Sequence, residues 1–108
     1  MIVGTLHKTN KPGYFILILG RNDEYTVVTL ASSEPYFHQK NKYYSQVQDT
    51  EGRTWWLVEE FVDVVREQEL PEGQVAQIPE DTVLAIVHNP EFIQRMAVAY
   101  VARRGETT

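Results

Sequence analysis

The chain has 108 residues, 43% of them apolar, and a net charge of −5, which suits one domain with its own core and leaves no room for two. It contains no cysteine, which excludes a disulfide scaffold, a cysteine-ligated metal and a cysteine nucleophile. No apolar run approaches the roughly 20 residues of a membrane-spanning helix, and the first residues lack a signal-peptide layout, so a cytoplasmic protein without membrane contact is expected.

The charge is unevenly spread. Residues 1–48 carry five Lys/Arg against three Asp/Glu, and residues 49–108 carry five against twelve. A polyanionic partner is therefore expected to meet the N-terminal half.

Ile2 to His7 alternates loosely and runs into Lys11-Pro12-Gly13, strong turn punctuation. Tyr14 to Leu19 is a continuous aromatic, β-branched and aliphatic run that ends at Gly20, which predicts a buried central strand. A polar turn, Arg21-Asn22-Asp23-Glu24, leads to Tyr25–Leu30, and the two runs predict a hairpin. Pro35 stops the second strand. Tyr36 to Tyr44 places aromatics around His38, Lys40 and Lys42 and reads as a long loop entering a short strand near Tyr43–Val47. Asp49-Thr50-Glu51-Gly52 is a further turn.

Thr54 to Val65 could be a helix, with Leu57, Phe61 and Val65 on one face. Its tryptophans and valines favour two strands, Thr54–Val58 and Phe61–Val65, with a break at Glu59-Glu60. Trp55 and Trp56 are adjacent, so strand alternation sends one ring inward and the other outward. After the turn at Leu70–Gly73 comes a short strand at Gln74–Gln77. Pro79-Glu80-Asp81 then opens a helix, since proline and acids suit a first helical turn. Asn89-Pro90 repeats the start signal for a second helix through Tyr100. The domain is expected to span residues 1–104, with 105–108 as a frayed tail. These elements predict a mainly β fold: a small barrel of about five to seven strands with a C-terminal helical segment.

The familiar catalytic signatures are absent: there is no phosphate loop, dinucleotide fingerprint, His-Glu-x-x-His or Gly-x-Ser-x-Gly. His7, His38 and His88 stand far apart, so no metal site or cofactor is expected. Ser32 or Ser33 with His38 and Asp49 is a trio that any chain of this size would contain. The carboxylates of Glu59, Glu60 and Asp63 could bind a cation or serve acid/base chemistry, or form a solvated turn. The Tyr36–Tyr44 loop combines stacking rings with cations, as single-stranded nucleic acid binding requires and as protein interfaces also use.

Taken together, the segments resemble the PemK/MazF family of small toxin-like barrels, over nearly the whole chain. Lys11-Pro12-Gly13-Tyr14-Phe15-Ile16-Leu17-Ile18 is similar to the family's Arg-Pro loop and following strand. Thr26–Ser33 is similar to the strand ending in Thr-Ser, Thr54–Val65 to the later strand pair, and Val75–Val83 to the helix entry. The resemblance implies an SH3-like barrel that targets single-stranded RNA as a metal-free endoribonuclease or a degenerate relative, acting as a homodimer and having an antitoxin or other protein as partner.

By the same resemblance, the catalytic positions are Lys11, Ser32 and Glu59. Lys11 stands where the family has arginine, giving a point charge in place of a planar fork, and Leu57 stands where some members have a further arginine. Lys8, Arg21, Tyr36, His38, Lys40 and Lys42 are the candidate RNA contacts. Arg53 is near in sequence but is not placed by the alignment. The alternative is a non-catalytic protein-interaction module on the same barrel.

Overall fold

A computed structural model describes residues 3–21, 25–33 and 43–106 and shows a mainly β fold of the small-barrel class with C-terminal helices, as expected. The strands are β1 (Thr5–Lys8), β2 (Tyr14–Arg21), β3 (Thr26–Ser32), β4 (Tyr43–Gln48), β5 (Thr54–Val65) and β6 (Gln74–Gln77). They form one antiparallel sheet in the order β4-β5-β3-β2-β1-β6. The apolar run from Tyr14 and its hairpin partner, β3, take the central places.

The sheet curls because its registers slip. Bulges lie at Leu6/His7 between β1 and β6, at Ile18/Gly20 between β2 and β3, and at Tyr43/Ser45 between β4 and β5. Each extra residue bends its strand and adds twist.

The largest slip corrects the expected pair of strands at 54–65. A single twelve-residue strand runs through Glu59-Glu60. Ala31 pairs with Leu57 and Thr29 with Val62, so five steps along β5 oppose two along β3. The slack is taken up between Leu57 and Val62, where Thr29 Oγ1 donates to the Phe61 carbonyl at 2.7 Å. With no Gly or Pro there to reverse the chain, the polar pair produces a bulge and not a turn.

Leu6, Leu17, Leu19, Ala31, Trp55 and Leu57 bury one face of the sheet against Val83, Ile86 and Phe92. The last three come from α1 (Glu80–Val87) and α2 (Pro90–Glu106). Pro79 sits at the cap of α1, with Glu80 and Asp81 in its first turn. Asn89 caps α2, its Oδ1 accepting the Glu91 N–H at 2.9 Å. α2 packs along β5, and Tyr100 meets Tyr25 edge to face at 5.5 Å. Gly105, expected to begin a frayed tail, remains helical, and α2 ends at Glu106. Among the described residues no helix is long and apolar enough to cross a membrane.

Candidate functional site

Lys11-Pro12-Gly13-Tyr14 forms the β1–β2 turn. Tyr14 N–H donates to the Lys11 carbonyl at 3.2 Å, with proline second and Gly13 third at φ +82°, the layout of a type II turn. Thr9 Oγ1 ties the turn by donating to the Tyr14 carbonyl at 2.7 Å. The turn ends β1 at Lys8 opposite Phe15. In the next strands Phe15 pairs with Ala31 and Ala31 with Leu57, so Lys8 stands at the rim of the inward-facing row. One step along, Tyr14, Ser32, Trp56 and Gln46 form the adjacent row, which alternation sends to the other face.

These strand ends surround an open mouth of about 620 Å³. Phe15 and Trp55 form its floor, edge to face with ring centroids 4.8 Å apart. Lys8, Ser33, Arg53, Trp56 and Val75 stand around it. Trp55 is only 4% exposed, whereas Phe15 and Trp56 are half-buried and Lys8 is exposed. The adjacent tryptophans therefore divide as expected, one inward and one partly outward.

Asp49 fixes the wall beneath Arg53. Its Oδ1 accepts the backbone N–H groups of Glu51 at 2.9 Å and Arg53 at 3.0 Å. Its Oδ2 accepts Arg53 Nε–H at 3.1 Å and Trp55 Nε1–H at 2.9 Å. Burial alone would raise this carboxyl, but the indole donor, the two peptide donors and the Arg53 charge outweigh it and hold the group below the usual aspartate range. Arg53 also donates from Nη2 to the Val75 carbonyl at 3.0 Å and pairs with Glu51 at 3.2 Å.

The predicted site residues divide. Lys8 is at the mouth, and Lys11 is exposed in the turn three residues beyond it. Ser32 is 0% exposed, so its hydroxyl is withdrawn into the sheet, and neighbouring Ser33 lines the mouth instead. Glu59 falls on β5 within the bulge. Arg21 closes the far end of β2, about 20 Å along the strand from Phe15 at ~3.3 Å per residue, and is not part of the mouth. Tyr36, His38, Lys40 and Lys42 lie outside the described residues.

Sequence reading missed Asp49, Arg53, Phe15 and Trp56 as a group. The available signal was an aspartate opening a turn, with donors two, four and six residues later. No protein-family model, curated protein or solved structure matches the chain.

Proposed function

We propose that this is a PemK/MazF-like RNA-targeting protein that binds single-stranded RNA at the mouth formed by β1, β2, β5 and β6. One observation carries the reading: Phe15 and Trp56, both partly exposed, line the same mouth as the cations Lys8 and Arg53. Base stacking on such rings contributes roughly 1–3 kcal/mol per base, and the cations hold the phosphates. The described lining supplies rings, cations and hydroxyls. Cleavage through the 2′-hydroxyl also needs an acid and a base, so the proposal commits to binding and leaves cleavage as a separate assay. Fluorescence anisotropy with a labelled mixed-sequence single-stranded RNA tests it. Wild type should bind with an affinity that falls as salt rises, and Lys8→Ala and Trp56→Ala should each weaken binding about tenfold. Binding unchanged in both variants would sink the proposal.

A second reading, self-association, is favoured by α2. Val98 and Val101 are 71% and 72% exposed, although valine is a poor helix former and neither joins the core. An antiparallel pairing of α2 with a second copy would cover them and set the acidic first turn of one helix beside the arginine-bearing last turn of the other. Sedimentation velocity should show a dimer that Val98→Glu converts to monomer. A wild-type monomer at high concentration would contradict this reading.

A further inference from the structure

The sheet has two edges, β4 and β6, and the mouth is lined by Val75 of β6 and by Arg53 from the turn that follows β4. No ladder joins these edges among the described residues. They are bridged by the turn after β4: Thr50 N–H donates to the Gln77 carbonyl at 2.8 Å, and Arg53 Nη2–H donates to the Val75 carbonyl at 3.0 Å. Both bridging residues belong to the turn that Asp49 organises. Its carboxylate is 1% exposed and receives four donors, two on each oxygen. A buried carboxylate that spends all its acceptor capacity on one turn and one indole holds that turn in a single conformation.

We infer that Asp49 is a positioning residue. It clamps the β4–β6 seam and thereby aims Arg53, together with the Trp55 floor, at the ligand in the mouth. The ligand-facing part rests on the RNA reading above, and the clamp stands on its own distances. The Nε of Arg53 is committed to Asp49 and its Nη2 to Val75 and Glu51, yet the side chain remains 54% exposed and lines the mouth. A guanidinium held from one side presents its remaining edge with little rotamer entropy left to lose on binding. Freed from Asp49, the same charge would swing in solvent and lose most of that benefit.

The experiment has two independent readouts on the full chain. The first is amide hydrogen exchange at Thr50, whose N–H forms one of the two seam bonds. Protection should fall at least tenfold in Asp49→Asn, where an amide nitrogen must face one of the donor pairs, and also in Arg53→Lys, which keeps the charge but loses the fork. Unchanged protection in both variants overturns the clamp.

The second readout is affinity for mixed-sequence single-stranded RNA in a double-mutant cycle. Asp49→Asn should weaken binding about tenfold and flatten the slope of log affinity against log salt by about 0.7, the loss of one phosphate contact. It should have no further effect in an Arg53→Ala background. Additive losses mean that Asp49 does not act through Arg53 and overturn the positioning role. If wild type binds no RNA, the function reading fails by itself, and the clamp is still decided by exchange at Thr50. Should Asp49→Asn fail to fold, Arg53→Lys carries both readouts.

Discussion

The indole of Trp55 packs its ring against Phe15 and donates its Nε1–H to Asp49, so the residue that floors the mouth also depends on a carboxylate in the preceding turn. Removing that carboxylate orphans a buried indole N–H and loosens two peptide N–H groups. Asp49→Ala should therefore cost about 3 kcal/mol, read by urea denaturation, because each buried donor left unpaired costs about 1–3 kcal/mol. His7 offers a second test at this scale. It is 5% exposed, shares a 2.8 Å hydrogen bond with Thr5 Oγ1, and its Nδ1 has no partner among the described residues. Burial lowers its pKa. The unfolded chain therefore takes up the proton first, and stability falls as pH drops below the ordinary histidine value of about 6.5, levelling off below the folded-state value. The melting temperature should drop between pH 7.5 and 5.5 in wild type and drop less in His7→Gln. Equal drops would contradict the assignment.

Among the elements, the central hairpin, the short last strand and the two proline-started helices were readable because each carries its own local signal: an apolar run ended by glycine, or a proline with acids behind it. β5 was not. Its bulge is produced by register against β3, a long-range property that Glu59-Glu60 marks only as polar. Gly4 shows the same limit. Its φ is +91°, and an added Cβ would sit 2.9 Å from the Ile78 carbonyl oxygen, in a segment where Gly4 N–H donates to Ile18 and its carbonyl accepts from Ile78. The strain belongs to the packing of β1 against the chain entering α1 and has no signature in Val-Gly-Thr. Gly4→Ala should destabilise by about 2 kcal/mol or more, from left-handed backbone strain plus the clash. Asn89→Ala, which removes only the α2 cap, should cost about 1 kcal/mol. Thermal denaturation of the two variants side by side checks the order.

At the scale of the molecule, the architecture was legible in the order of segments, while the site was legible only in part. Of the cations in the N-terminal half, Lys8 lines the mouth and Lys11 lies in the turn three residues beyond it, while an eight-residue strand carries Arg21 to the opposite end. Arg53 arrives from the acidic half, brought to the mouth by the β4–β5 turn. Ser32 shares the row of the partly exposed Trp56 and Tyr14 yet is itself fully buried. Sequence spacing set which strand each residue occupies, but barrel curvature set which residues share the mouth.

The most direct test of this account is a titration of the isotope-labelled protein with a short single-stranded RNA, followed by amide chemical shifts. The account predicts dose-dependent shifts at Lys8, Phe15, Ser33, Arg53, Trp56 and Val75, with Arg21, Thr26 and Val65 at the far end of the sheet unmoved. Shifts centred on the far end, or no shifts at millimolar RNA, would contradict it.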